Sequence, residues 1–156
     1  MRTALFSALV AFSLALTASA VEEKVIVSNL RIHKKGSNIT RVQFRLDGHK
    51  VKDINCSGEK VPFPEPKEAF PCGDSGYSFV LFPGDKKDIE FQVFLYHDVG
   101  DRHADLRGGF DIHTIRDNID AAGHANEIYT QKEPVSFTIE GPVGQEPGDS
   151  LGPEEL

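Results

Sequence analysis

Apolar and polar residues alternate with period two through much of this chain, which is the signature of β-strands with one buried face. Val42, Phe44 and Leu46 interleave with Arg41, Gln43, Arg45 and Asp47, placing three apolar side chains on one face and four polar ones on the other. Ile26, Leu30 and Ile32 read as the shared face of an earlier strand. Tyr77 to Phe82 and Ile89 to Tyr96 are denser in aromatic and branched residues and predict strands covered on both faces, while Val135, Phe137 and Ile139 predict a short closing strand. Gly48, Gly58, Pro83-Gly84-Asp85 and Gly108-Gly109 punctuate these runs as turns or bulges. Asp117 to Asn126 offers at most a turn or two of helix, because Gly123 interrupts Ala121-Ala122 and apolar residues are sparse. Short strands at intervals of about ten residues predict an all-β fold, an antiparallel barrel or sandwich.

The two ends of the chain do not share this pattern. Met1-Arg2 is a short basic start, Ala4 to Leu16 is an apolar run broken only by serine, and Ala18-Ser19-Ala20 is the small-x-small pattern cut by signal peptidase. Residues 1–20 are therefore expected to be a signal peptide. The apolar run is too short to anchor in a bilayer, and a secreted, extracellular product starting at Val21 is predicted. Residues 21–140 are expected to form the β-barrel domain. Beyond Glu140 the chain is Pro, Gly and acid, so residues 141–156 are expected to be a disordered acidic tail.

Charge removes two classes of partner. The formal net charge is −7 for the whole chain, and the leader takes only Arg2 with it, so the exported protein is more acidic still. Such a surface repels nucleic acid and anionic lipid. Cys56 and Cys72 are the only cysteines, and an even count in a secreted chain is best read as one disulfide. Closing a loop of this length contributes about 3 kcal/mol and would tie down Val61-Pro62-Phe63-Pro64-Glu65-Pro66. The competing reading, a catalytic thiol, needs one cysteine to stay free beside a histidine. Asn38-Ile39-Thr40 is an N-glycosylation acceptor in a polar turn. Asn55-Cys56-Ser57 matches formally, but its middle residue is the expected disulfide cysteine, so Asn38 is preferred.

Candidate chemistry is concentrated in His97-Asp98-Val99-Gly100-Asp101-Arg102-His103-Ala104-Asp105, followed by Asp111 and His113. His97, His103 and His113 with these carboxylates are candidate ligands for zinc, copper or non-haem iron. Their spacing matches no helical pair and no HExxH motif, and a solvated acidic hairpin whose histidines titrate near neutrality is the preferred reading. There is no G-x-S-x-G elbow, and Ser75 between Asp74 and Gly76 reads as a turn serine. Glu22-Glu23, and Asp85 with Asp88, sit in polar ends or turns where carboxylates normally stay hydrated, which gives a glycosidase no support. Phe79, Phe82, Phe91, Phe94 and Tyr96 either line a ligand cavity or fill the core, and a barrel of this size is usually filled. No catalytic residue and no cofactor are assigned.

From Val25 to about Asp98 the sequence resembles a family of small secreted fungal proteins, that of the major Alternaria allergen. The resemblance rests on Val27-Ser28-Asn29-Leu30-Arg31-Ile32, Val42-Gln43-Phe44-Arg45-Leu46, Ile54-Asn55-Cys56-Ser57, and Pro71-Cys72-Gly73 leading into Tyr77-Ser78-Phe79. It implies an antiparallel barrel held by a Cys56–Cys72 bond, and a role as allergen, elicitor or effector. The allergen's subunit-linking cysteine and its second intrachain pair have no counterpart here. With no cysteine in Val21 to Lys24, a monomer or a weak non-covalent dimer is expected. The leading expectation is a non-enzymatic fungal barrel that binds a host or plant extracellular protein or small molecule. The alternatives are a small-molecule carrier using the barrel interior or an end pocket and, behind it, a metal-assisted enzyme.

Overall fold

The computed structural model describes residues 21–99, 105–117 and 126–141. The expected signal peptide, most of the segment Asp117 to Asn126, and the tail beyond Gly141 lie outside the described residues. Among the described residues ten strands carry the fold: β1 (Glu22–Lys35), β2 (Asn38–Asp47), β3 (Ile54–Glu59), β4 (Phe70–Pro71), β5 (Tyr77–Pro83), β6 (Phe91–Asp98), β7 (Asp105–Ile112), β8 (Ile115–Asp117), β9 (Asn126–Thr130) and β10 (Val135–Glu140). The all-β reading holds, and the architecture is a nearly closed antiparallel barrel. The sequence pattern had placed β1, β2, β5, β6 and β10. It did not predict β7, β8 or β9.

Neighbouring strands follow the order β3-β2-β1-β10-β7-β6-β5-β4. The two ends of that path meet through the Cys56–Cys72 disulfide, which joins β3 to the residue following β4 with a Cα–Cα distance of 4.2 Å. The Phe70 ring of β4 lies so close to Gly58 of β3 that a Cβ there would sit 2.8 Å from it, so glycine permits the closure. β10 does not close the barrel. It lies in the middle of the order, where it joins the N-terminal strands to β7.

β1 is long enough to serve two partners on one side. Glu22 to Val27 pair with β10, and Arg31 to Lys35 pair with β9, which in turn pairs with β8. β2 lies along the other side. The halves are separated by a bulge: Ser28 pairs with Arg45 and Arg31 with Gln43, leaving one extra residue in β1, and Asn29 takes a left-handed φ of 53°. The extra residue shifts the alternation by one. Glu23, Val25 and Val27 face inward before the bulge, and Leu30 and Ile32 after it. Ile26, expected to share a face with Leu30 and Ile32, is half-buried on the outer face for this reason.

The interior is filled by aromatic and aliphatic side chains. Phe44 and Phe79 pack edge to face at 5.0 Å, and Phe91 meets Tyr129 at 4.9 Å, with Leu81, Val93, Leu95, Ile112 and Ile139 fully buried around them. Each such side chain contributes about 1.5–3 kcal/mol by leaving water. Phe82, Phe94 and Tyr96 alternate with this set and lie half-buried on the outside, so only Phe79 and Phe91 of the five candidates are core. Phe94 covers Gly109 on the neighbouring strand, where a side chain would collide with its ring. The proline-rich loop is held at Val61, which is buried, and at Phe63, whose ring lies 5.5 Å from that of Phe91.

Candidate functional site

Antiparallel topology gathers the starts of β1, β5 and β7 and the ends of β2, β6 and β10 at one end of the barrel. An open cavity of about 470 Å³ lies there, within the size range of small-molecule sites. Val21, Val51, Val99 and Leu106 supply apolar walls, and Glu23, Tyr77, His97, His49, Lys50 and Ser75 supply polar groups.

Glu23 is the centre of the cluster. Its side chain follows Val25 and Val27 onto the inward face and is 6% exposed. Three elements satisfy it. The Tyr77 hydroxyl donates to Oε1, the His49 backbone N–H donates to the same oxygen at 2.9 Å, and His97 Nδ1 lies 2.6 Å from Oε2. Burial alone would raise the carboxyl pKa. The Tyr77, His49 and His97 contacts outweigh it and hold the group below its ordinary value of 4.5, so the site keeps a buried carboxylate ionised. The phenol of Tyr77 moves the other way, raised by burial and by the adjacent Glu23 charge, and stays a neutral donor. Hydration, expected for Glu22-Glu23 as a pair, is lost at Glu23 because the strand pleat turns it inward.

His97 and Tyr77 are cross-strand partners on β6 and β5, and their rings stack at 3.8 Å with an interplanar angle of 11°. With a carboxylate facing Nδ1, the imidazole carries its proton on that nitrogen, and Nε2 is the ring nitrogen not engaged by Glu23. Gly48 makes room for the His49 turn. A side chain at Gly48 would overlap the Tyr77 hydroxyl and crowd Glu23. Ser75 also lines the cavity, but its hydroxyl donates to the Cys72 carbonyl at 2.6 Å, which fits the turn serine expected from sequence.

Of the two described histidines singled out from sequence, His97 lines this cavity and His113 does not. His113 follows β7 at the opposite end of the β6–β7 hairpin, is exposed, and donates its backbone N–H to Gln131. His103 lies outside the described residues. Among the described residues no group of three or more His, Cys, Asp or Glu side chains is arranged to hold a metal ion. Sequence reasoning missed Glu23, Tyr77 and His49. One signal was available: alternation backward from Val27 and Val25 lands on Glu23, and an inward acid at the start of a strand needs partners.

A disulfide-closed barrel with a carboxylate-imidazole pair in an open end cavity defines a small all-β domain. In fold this chain is similar to the major allergen Alt a 1 of Alternaria alternata. One crystal structure of that allergen superposes with a TM-score of 0.59 at 13% identity, over 78% of this chain and 96% of the allergen. A second gives 0.58 at 14% identity, over 84% and 96%. No protein-family model and no curated protein matches the sequence. The likeness is therefore one of fold.

Proposed function

We propose that this protein is a secreted, non-enzymatic member of the allergen's family, an effector, elicitor or allergen type that acts by binding a host or environmental molecule. The observation that carries the reading is the state of the cavity's polar groups. Glu23 is committed to three protein donors, Tyr77 among them, and the serine in the lining, Ser75, is turned toward the Cys72 carbonyl. Acyl transfer through a serine needs its hydroxyl paired with a base, and in this cavity the Ser75 hydroxyl is paired with a carbonyl instead. The allergen-like fold and the leader-like first 20 residues support export.

The cavity also favours a second reading, a small-molecule site at the barrel end. Its walls are apolar and its polar groups converge on one point, the arrangement that fixes a ligand's orientation. Native mass spectrometry of the mature protein after incubation with host extracellular fluid separates these readings. A small ligand bound by wild type and lost from His97→Ala places binding in the cavity, whereas a macromolecular partner retained by His97→Ala places it on the outer surface. If neither is captured, and turnover of esters or glycosides is detected instead, the binding reading fails.

A further inference from the structure

The end of the barrel opposite the cavity carries a second concavity. The β1–β2 hairpin turns there through Gly36-Ser37, with Lys35 paired to Asn38 and Gly36 at a φ of 59°. Asn38 is exposed at the first position of β2 and forms one lip of an open groove of about 510 Å³. Ile39 and Val61 are nearly fully buried at its base, and Pro62, Phe63 and Pro64 extend it. Lys60 and Lys67 are exposed on the proline-rich side. The groove is thus an apolar strip with polar margins, and the acceptor motif Asn38-Ile39-Thr40 is part of its lining.

We propose that Asn38 carries an N-linked glycan in the exported protein and that its first two N-acetylglucosamine rings lie in this groove. The inference rests on the reading that the chain enters the secretory pathway. In the transfer, the Asn38 side-chain nitrogen forms a bond to C1 of the first sugar of a lipid-pyrophosphate-linked oligosaccharide. The C1–oxygen bond to the pyrophosphate breaks, the lipid pyrophosphate leaves with that electron pair, and the amide gives up one proton to the transferase's base. Thr40, needed at the third position during transfer, afterwards donates its hydroxyl to the His33 carbonyl at 3.1 Å, so folding gives that residue a second use. An occupant tethered at the lip pays little entropy to enter the groove, and a pyranose ring has an apolar face to lay on proline and Phe63 and hydroxyls to turn toward Lys60 and Lys67. The second formal motif differs. Asn55 is the second residue of β3, paired with Arg45 within the β2–β3 ladder and directly beside the fully buried, disulfide-bonded Cys56, and is assigned no glycan.

The test is expression of the full chain in a glycosylating fungal host, once with its own leader and once with the leader of a known secreted protein. The expected result is a mass that falls to the bare chain on peptide:N-glycosidase treatment, with conversion of Asn38 alone to aspartate, and loss of that difference in both Asn38→Gln and Thr40→Ala. Acylation of Lys60 and Lys67 should be several-fold slower in the glycosylated form than after deglycosylation, with exposed Lys24 and Lys87 unchanged. Bare protein in the medium overturns the site. A glycan at Asn38 with equal labelling of Lys60 and Lys67 overturns the seating. Retention inside the cell with its own leader, but a glycan at Asn38 with the borrowed one, overturns export and leaves the site standing.

Discussion

At Glu23 one carboxylate accepts from a phenol, a backbone N–H and an imidazole, each carried by a different element, so a single buried charge ties β1 to the β2–β3 turn, β5 and β6. Tyr77→Phe removes one donor and keeps the ring that stacks on His97. It should destabilise the fold by about 1–3 kcal/mol in denaturant titrations, the cost of leaving a buried acceptor short of a partner. The carboxyl also makes a signed prediction about acid. Because it ionises below its ordinary 4.5 in the folded protein, its stabilising contribution is present above that value and fades as pH falls through the folded pKa. Glu23→Gln should therefore lose stability near neutrality and lose less than wild type on acidification below about pH 4.5, seen as a flatter melting temperature against pH. A parallel pair of curves would mean that the folded carboxyl is not held low.

Among the elements, β1 carries the most information per residue, because its one bulge redirects half the strand to a different neighbour. Asn is one of the few side chains that tolerates a left-handed backbone, so Asn29→Gly should be nearly neutral, while Asn29→Val should cost about 1–2 kcal/mol in thermal or chemical melts. The same bulge explains where sequence reading succeeded and where it stopped. The alternation of Val42, Phe44 and Leu46 runs unbroken, and β2 was legible to within a few residues. In β1 the alternation changes phase at Asn29, a shift that nothing in the local pattern announces, so Ile26 was assigned to the wrong face. β7 was hidden because Gly108-Gly109 reads as punctuation, although Leu106, Phe110 and Ile112 alternate around it. There the glycines let β7 approach the β10 backbone and accept the cover of Phe94. β8 and β9 are too short for alternation to register: β9 pairs with β1 and buries only Tyr129 in the core, and β8 pairs with β9. The cavity was half legible: His97 stood out as chemistry, but its partners are distant in sequence and are joined only by the barrel's curvature.

Across the whole molecule the disulfide is a seam, since it links the two strands at the ends of the sheet path over a sequence separation of 16. Substituting both Cys56 and Cys72 by alanine should lower stability by about 2–4 kcal/mol and shift the melting temperature down by several degrees. An unchanged melting temperature would show that β3 and β4 hold the barrel closed without it. The pairing of β1 with β10 has a consequence for how the chain reaches this state. The first and last described strands are neighbours from Glu22–Glu140 to Val27–Val135, at the middle of the sheet. The central ladder therefore cannot form until almost the entire polypeptide has been synthesised, and folding waits on contacts of high sequence separation, which places it among slow, topology-limited β-proteins. A chain stopped after Gln131 should show no cooperative melting at all. Throughout its synthesis the emerging protein would stay open and threadable, the condition that passage through a membrane channel demands and that a fold completed from its N-terminus would forfeit.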